Sequence, residues 1–320
     1  MKIAKYVMAD AFGLDISTKV QATGFAGTSA YIPKVDKHYK FRKKELLSLW
    51  MFLEEPNNDA LFITGPTGSG KTSLVTQYAA RVSWPVQEVT AHGRMELADL
   101  IGFHTLQSDE GETTPTMRFQ YGPLSRAMKE GHIFLINEVD MIDPGELSGL
   151  NDVLEGRPLV LSANGGEVIN PHPAFRVIVT ANSVGSGDMT GLYSGIKTLN
   201  IASMDRYRMI EVGYPEQSVE EEILNKVAPV LPEAIRVAMV QLANQIRDLF
   251  IGCNESEGSL SVTMSTRTLV RWAKTSQTFH GLGSPKPLSE ALEQALLLRC
   301  QPEEREAIER MAKLTFGDSF

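Results

Sequence analysis

Short hydrophobic runs alternate with amphipathic segments along the first two-thirds of the chain. Runs that are short and rich in β-branched or aromatic residues indicate buried strands, whereas apolar residues spaced three and four apart indicate helices. The runs that predict core strands are Leu61–Ile63, Val86–Thr90, Ile133–Ile136, Phe175–Thr180 and Met209–Val212. Because helical segments separate them, the pattern is typical of an α/β fold with a parallel five-stranded sheet flanked by helices.

The pattern becomes wholly helical after the last of these strands. The predicted helices of this region are Val219–Val227, Pro232–Phe250, Thr266–Gln277, Leu288–Leu298 and Pro302–Thr315. The change in pattern predicts three parts. They are an N-terminal extension over residues 1–45, an α/β core over 46–213 and a helical domain over 214–320.

Shorter elements are predicted inside the core. Asp143 is placed to cap a helix that Pro144 begins, with Leu147, Leu150 and Leu154 facing inward. Two turn-rich segments indicate hairpins: 105–119, which could turn at residues 109–112, and 159–169, which contains Asn164-Gly165-Gly166. A short helix is predicted over Ile201–Tyr207, and Ser183–Gly195 before it is predicted to be a glycine-rich loop.

The strand Leu61–Ile63 runs directly into a phosphate-binding motif. The motif fits G-x-x-x-x-G-K-[ST] and consists of Gly65, Pro66, Thr67, Gly68, Ser69, Gly70, Lys71 and Thr72. Its glycines let backbone N–H groups approach phosphate oxygens, and a helix that begins after them turns its positive end to the anion. Lys71 is predicted to bind the β- and γ-phosphates, and Thr72 is predicted to bind Mg²⁺ through its hydroxyl. ATP or ADP with Mg²⁺ is therefore the expected ligand.

Polar residues end two other predicted strands. Ile133–Ile136 leads into Asn137 and Glu138, about sixty residues after the phosphate loop. Nucleotide hydrolases with a phosphate loop hold Mg²⁺ and the attacking water at such a position. Glu138 is predicted to polarise the water. Asn137 offers an acceptor oxygen to the Mg²⁺ shell but lacks the charge of an Asp, so Asn137→Asp is expected to lower the Mg²⁺ requirement and raise turnover. Asn182, at the exit of Phe175–Thr180, could bond the water or the γ-phosphate.

Composition narrows the class of protein. The chain has 320 residues, of which 42% are hydrophobic and 22% charged, as in ordinary globular proteins. No apolar run approaches the 18 or so residues of a membrane span, no signal peptide is predicted, and two cysteines fit a reducing cytoplasm. The net charge of −8 argues against a dedicated nucleic-acid binder.

Taken together, these motifs resemble those of the AAA+ ATPases, and within them the MoxR group and the ATPase subunits of aerobic cobaltochelatase (CobS type). The resemblance covers nearly the whole chain. Besides the phosphate loop, it rests on residues 12–15, 31–33, 39–41, 119–124, 171–176 and 180–182. Its most specific part is Gly185–Tyr193 together with Asn200 and Met204-Asp205-Arg206.

The resemblance implies roles for several residues. Asn182 would be sensor 1, and Arg206 would be an arginine finger that reaches the γ-phosphate of a neighbouring subunit. Arg267, in Ser265-Thr266-Arg267, would belong to sensor 2. The segments 105–119 and 159–169 would be the helix-2 insert and the pre-sensor-1 hairpin, facing a pore or a partner. Residues 214–320 would be a helical lid.

The function implied is that of a homo-oligomeric ring, expected to be hexameric, which hydrolyses ATP to remodel or activate a partner protein. Relatives of this group commonly work with a protein that carries a von Willebrand A domain (CobT-like). Three alternatives stay open: a cobaltochelatase ATPase that drives Co²⁺ insertion into a corrin, a nucleic-acid motor, and a nucleotide-binding scaffold with little turnover. Asn137 stands where the family usually has Asp, and residues 1–45 hold no recognisable metal- or corrin-binding element.

Overall fold

The computed structural model describes residues 1–108, 115–183, 195–251, 260–317 and 320. The chain forms two compact units. The first consists of Met1–Asp36, Phe41–Gly65 and Lys71–Val212. The second consists of Lys37–Lys40, Pro66–Gly70 and Gly213–Phe320.

Within the described residues, the strands all belong to the first unit. They are β1 (Lys2–Val7), β2 (Gln21–Ala26), β3 (Ala60–Thr64), β4 (Val86–Thr90), β5 (Gly102–Gln107), β6 (Thr116–Tyr121), β7 (Ile133–Asn137), β8 (Leu159–Leu161), β9 (Glu167–Ile169), β10 (Arg176–Thr180) and β11 (Tyr207–Glu211). Five of them form a parallel sheet in the order β11-β3-β10-β7-β4. The predicted five-stranded parallel sheet is thus confirmed. Because β3 lies beside β10, and β10 beside β7, the carboxyl ends of these three strands lie side by side.

Helices of the first unit are α1 (Met8–Phe12), α2 (Lys43–Glu54), α3 (Lys71–Arg81), α4 (Leu97–Ile101), α5 (Pro123–Glu130), α6 (Pro144–Ser148), α7 (Asn151–Leu154) and α8 (Ile201–Met204). The sheet separates two hydrophobic cores, because successive strand residues point to opposite faces. In β3, Phe62 packs into one core, whereas Leu61 and Ile63 pack into the other. The second core also contains buried apolar residues of α2 and α3, which are Leu46, Leu49, Phe52, Leu53, Leu74, Val75, Tyr78 and Ala79.

An N-terminal hairpin completes that second core. Strands β1 and β2 pair antiparallel, from Lys2 opposite Ala26 to Val7 opposite Gln21. Met8, Phe12 and Phe25 are buried, and the ring of Phe12 stacks on that of Tyr78 in α3 with 4.8 Å between centroids. This hairpin was not among the elements predicted from the hydrophobic pattern.

Both predicted hairpins of the core are present. Strands β5 and β6 pair antiparallel, as do β8 and β9. The turn predicted at residues 109–112, and most of the predicted loop Ser183–Gly195, lie outside the described residues.

Two predicted short elements differ from the structure. Asp143 caps a helix as expected, with its Oδ1 accepting from the Gly145 N–H at 2.9 Å, but the helix ends at Ser148 and α7 follows separately. The predicted helix Ile201–Tyr207 ends at Met204. Tyr207 instead begins β11, because its backbone pairs with Ala60 of the central strand β3.

The second unit contains α9 (Gln217–Val227), α10 (Glu233–Ile251), α11 (Thr266–Gly281), α12 (Pro287–Ala295) and α13 (Pro302–Phe316). Each predicted C-terminal helix has a counterpart here. Its core includes the fully buried Met239 and Trp272. Arg247 of α10 forms a buried ion pair with Glu220 of α9 at 2.6 Å. Since removing one partner of such a pair leaves a buried charge, the pair is costly to break.

Candidate nucleotide site

The phosphate loop joins the end of β3 to the start of α3. Gly65, Gly68 and Gly70 have φ values of +145°, +70° and +97°, a region that favours glycine. A Cβ atom at Gly65 would lie 2.1 Å from the carbonyl oxygen of Val212, so no other residue fits there. The backbone thus follows a path that only glycines permit.

Lys71 is buried at the first position of α3. Its Nζ donates to the Gly65 carbonyl oxygen at 2.6 Å and to Asn182 Oδ1 at 2.9 Å. Burial lowers the pKa of Lys71 to about 8, although the negative charges of Asp140 and Glu138 act to raise it. A cation that is costly to keep buried gains much from a bound polyphosphate.

Thr72 and Asn137 meet at the carboxyl end of the sheet. The Thr72 hydroxyl donates to Asn137 Oδ1 at 2.6 Å, and that oxygen also accepts from the Thr180 hydroxyl at 3.1 Å. The Asn137 Nδ2 donates to Glu88 Oε1 at 2.8 Å. Mg²⁺ prefers oxygen ligands and keeps several of its waters, so the Thr72 hydroxyl and the Asn137 oxygen are a donor set that fits it.

Glu138 follows directly and has an unusual backbone. Its φ of +56° lies in the left-handed region, which is uncommon for residues other than glycine. The side chain is exposed, and its backbone N–H donates to the Thr180 hydroxyl at 3.4 Å. Such conformations persist where the surroundings enforce them and are concentrated at functional sites.

Asp140 is a member of this group that the sequence reasoning did not assign. Its side chain is fully buried, and Oδ2 accepts from the backbone N–H of Asn182 at 3.1 Å and from the Ser183 hydroxyl at 3.3 Å. Among the described residues, its Oδ1 has no hydrogen-bond partner. The sequence did contain a sign of its role, because Asp140 is a second acidic residue two positions after Glu138, directly after the same strand.

Two arginines, Arg206 and Arg267, were predicted to take part in hydrolysis. Arg206 lies in the turn between α8 and β11, where Nε donates to Glu155 Oε1 at 2.7 Å and Nη1 donates to the Ala202 carbonyl oxygen. Its hydrogen bonds therefore do not join it to the Lys71 group. Arg267 is exposed at the second position of α11, after Ser265, which caps that helix. The roles of both in a ring stay predictions.

Family models match most of the chain. Residues 60–194 match the AAA domain of the dynein-related subfamily, and residues 220–315 match the C-terminal domain of CbbQ, NirQ and NorQ proteins. The chain belongs to the AAA ATPases. The expected AAA+ fold class and the expected ATPase class are thereby confirmed.

Several curated proteins are similar to this chain. The aerobic cobaltochelatase subunit CobS of Sinorhizobium sp is 29% identical over 313 residues, which is 96% of this chain and 89% of that protein. An uncharacterized protein of Staphylococcus aureus USA300 is 32% identical over 190 residues, 59% of this chain and 68% of that protein. One from Staphylococcus haemolyticus is 28% identical over 260 residues, 81% of this chain and 91% of that protein.

Within the described residues, no helix is both long and apolar enough to cross a membrane.

Proposed function

We propose that this ATPase binds ATP with Mg²⁺ at Lys71 and Thr72 and hydrolyses it within a cytoplasmic homo-oligomeric ring, expected to be hexameric, to remodel or activate a partner protein. The observation that carries the proposal is the pair of contacts made by the first two residues of α3. Lys71 contacts Asn182 at the end of β10, and Thr72 contacts Asn137 at the end of β7. The phosphate-loop helix is thus joined to both strand ends that carry polar residues.

The chain's own groups divide the work of binding. Lys71 offers its ammonium to the β- and γ-phosphates, and the loop offers backbone N–H groups to the same oxygens. Thr72 and Asn137 would hold Mg²⁺, which when bound neutralises charge on the phosphate oxygens. Lys71 would exchange its bond to the Gly65 carbonyl for a phosphate oxygen, because ion pairing favours the charged form.

Three further residues would serve the hydrolysis step. The exposed carboxylate of Glu138 would accept a hydrogen bond from the attacking water and orient it. Asn182 would hold its amide toward the γ-phosphate. Asp140 fixes the backbone of Asn182 through the 3.1 Å bond to its N–H, so Asp140 would act as a positioning residue.

Arg206 would complete the site of a neighbouring subunit. An arginine finger stabilises charge in the transition state and contributes about 10³–10⁵ in rate in other nucleotide hydrolases. The resemblance to AAA+ rings supports the role for Arg206 and a sensor role for Arg267. The partly exposed position of Arg206, at 27% for its side chain, is compatible with reaching another subunit.

The two hairpins favour a protein as the partner. Leu106 pairs with Met117, Val160 pairs with Val168, and each of these side chains is more than half exposed. Exposed apolar side chains suit protein contacts, whereas nucleic-acid binding requires clusters of Lys and Arg. In the sequence, residues 105–119 include a single basic residue, Arg118, and residues 159–169 include none. The nucleic-acid alternative is therefore disfavoured.

A partner with a von Willebrand A domain remains the specific proposal, carried by the resemblance to MoxR and cobaltochelatase ATPases. The similarity to CobS, at 29% identity, keeps the cobaltochelatase alternative open. The genes adjacent to this one distinguish the two. A von Willebrand A gene without corrin-synthesis genes supports the general remodelling role, and corrin-synthesis genes support the chelatase.

Calorimetric titration with ATP tests the site. Lys71→Ala should abolish measurable binding, because it removes the buried cation that the phosphates neutralise. The matched control is Lys19→Ala, because Lys19 is exposed and lies far from the phosphate loop in the sequence. This variant should bind ATP as the wild type does. Wild-type affinity in Lys71→Ala would contradict the assignment of the site.

A further inference from the structure

We propose that Glu88 supplies the negative charge that Asn137 lacks, and that Glu88 orients the Asn137 amide so that its oxygen faces Thr72. The inference rests on the proposed function, because it concerns the same Mg²⁺ site. The Asn137 Nδ2 donates to Glu88 Oε1 at 2.8 Å. The acidic group at this site would therefore be a pair of side chains on two strands rather than one Asp.

Strand order brings the two residues together. Strands β4 and β7 are parallel neighbours, with Thr90 opposite Asn137 and Glu88 opposite Leu135. Side chains two apart on a strand share a face, so Glu88 points to the same face as Thr90, the residue opposite Asn137. Glu88 therefore lies on the same face of the sheet as Asn137, two residues before Thr90 on the neighbouring strand. The sequence separates the two residues by 49 positions.

Hydrogen-bond chemistry determines which way the Asn137 amide points. An ionised carboxylate can only accept, so the amide –NH₂ must face Glu88. The amide oxygen must then face the opposite way, where the hydroxyls of Thr72 and Thr180 donate to it at 2.6 and 3.1 Å. By holding the amide in this orientation, Glu88 makes Asn137 present its acceptor oxygen to Thr72, on the magnesium side of the site.

An Asp at position 137 would be incompatible with Glu88 as it stands. Two carboxylates would meet where the amide now donates at 2.8 Å, and a hydrogen bond would become a repulsion between like charges. Positions 88 and 137 can carry one negative charge in two ways. With Glu at 88 and Asn at 137 the charge lies on β4, and with Gln at 88 and Asp at 137 it lies on β7. The arrangement in this chain places that charge on the exposed residue, since Glu88 is exposed and Asn137 is buried.

A charge-swap experiment tests the pair. The variants are Glu88→Gln, Asn137→Asp and the double variant, with Glu211→Gln as the matched control, because Glu211 is an exposed carboxylate at the end of the opposite edge strand β11. The first measurement is the thermal unfolding midpoint of the protein without nucleotide or Mg²⁺. The second is the Mg²⁺ concentration that gives half-maximal binding of a fluorescent, non-hydrolysable ATP analogue.

Asn137→Asp alone should lower the unfolding midpoint of the first unit by about 2–4 °C, the shift expected when a unit of roughly 200 residues loses this one hydrogen bond. Adding Glu88→Gln should restore most of that loss, because a donor and an acceptor again face each other. Glu88→Gln alone should keep the midpoint but raise the Mg²⁺ requirement severalfold, and the double variant should bring that requirement back. The Glu211→Gln control should change neither measurement.

Equal midpoints for Asn137→Asp with and without Glu88→Gln would overturn the proposed contact. A wild-type Mg²⁺ requirement in Glu88→Gln would overturn the assignment of the charge. The unfolding measurement requires no ligand, so it can be interpreted even if the wild-type protein binds no nucleotide. Absence of nucleotide binding would contradict the proposed function, whereas equal unfolding midpoints would contradict the Glu88–Asn137 contact, so the two failures are distinguishable.

Discussion

The Nζ atom of Lys71 lies 2.9 Å from the Oδ1 atom of Asn182. The phosphate-loop helix α3 and the end of β10 are therefore joined through a buried cation. Because Asn182 is neutral and Lys71 is buried, the contact offsets only part of the cost of burying the charge, and the pKa of Lys71 stays below its usual value. Two consequences follow, one for the protonation of Lys71 and one for what the phosphates must supply.

ATP binding should be accompanied by proton uptake. The pKa of Lys71 is lowered to about 8, so a large fraction of the nucleotide-free protein carries a neutral Lys71 at pH 8. Phosphate charge raises the pKa again, so binding at pH 8 should take up about half a proton per site. Calorimetry in buffers with different ionisation enthalpies measures this uptake. Below about pH 7 the uptake should vanish, because Lys71 is already protonated.

Lys71→Arg is the control for that measurement. The guanidinium stays protonated at all these pH values, so any binding that Lys71→Arg retains should take up no proton through this residue. Equal uptake in Lys71→Arg and in the wild type would assign the proton to another group.

Arg206→Ala should leave ATP binding nearly unchanged but reduce hydrolysis by about 10³-fold or more, as expected for a group that acts on charge in the transition state. Its bonds in the single chain go to Glu155 and Ala202, so its removal leaves the Lys71 group intact. Steady-state ATPase assays and ATP titration measure the two effects separately.

Mixing subunits tests whether Arg206 acts across an interface. In the proposed ring, Arg206→Ala and Glu138→Gln subunits assembled together would form some interfaces in which an intact Glu138 meets an intact Arg206. Activity should therefore reappear on mixing, although neither variant is active alone. If mixed rings stay as inactive as their parents, Arg206 acts within its own subunit or has no catalytic role.

Glu167 joins the two hairpins. Its carboxylate accepts from the Tyr121 hydroxyl of β6 at 2.6 Å, from Lys129 of α5 at 2.9 Å and from Asn164 at 2.6 Å. Glu167→Ala should therefore loosen β6 as well as the hairpin that contains Glu167. Amide hydrogen exchange should become faster over Thr116–Tyr121, while the affinity for ATP stays unchanged.

Val168→Ala is the control for Glu167→Ala, because Val168 is the exposed neighbour of Glu167 on the same strand. Val168→Ala should leave exchange over β6 at the wild-type rate. Faster exchange confined to 159–169 in Glu167→Ala would mean that the two hairpins move independently.

Gly68→Ala should destabilise the phosphate loop. The backbone there has φ +70°, and an added Cβ would lie 2.4 Å from the Cβ atom of Ser265. The left-handed conformation alone costs an alanine about 1–2 kcal/mol. Adding Ser265→Gly should recover the part of the loss that comes from the close contact, since glycine at a helix cap costs only a few tenths of a kcal/mol. Thermal unfolding of the single and double variants measures both parts.

What the sequence predicted well depends on local chemistry. The phosphate loop is recognisable because its glycines, Lys71 and Thr72 act within eight consecutive positions. The core strands are recognisable because each is a short apolar run. The Glu88–Asn137 contact could not be predicted in the same way, because it exists only through the adjacency of β4 and β7. The expectation that Asn137→Asp strengthens Mg²⁺ binding was therefore made without knowledge of the contact between Asn137 and Glu88.

The N-terminal hairpin escaped prediction for a related reason. Strand β1 carries Lys2 and Lys5, and its pattern of partial exposure is weak on its own. What places the hairpin is its packing on α2 and α3, together with the hydrogen bond that the Thr23 N–H donates to Glu54 Oε1 of α2 at 2.5 Å. Those partners lie far along the chain, so a local pattern does not contain them.

That hairpin bears on how the protein can be produced. The ring of Phe12 lies against Tyr78, and Met8 and Phe25 are buried beside the helix that Lys71 begins. A shortened version that starts at α2 would leave this apolar face of α2 and α3 open to water. We expect such a truncation to aggregate on overexpression, whereas an affinity tag joined to Met1, which is about half exposed, should leave the folded protein soluble.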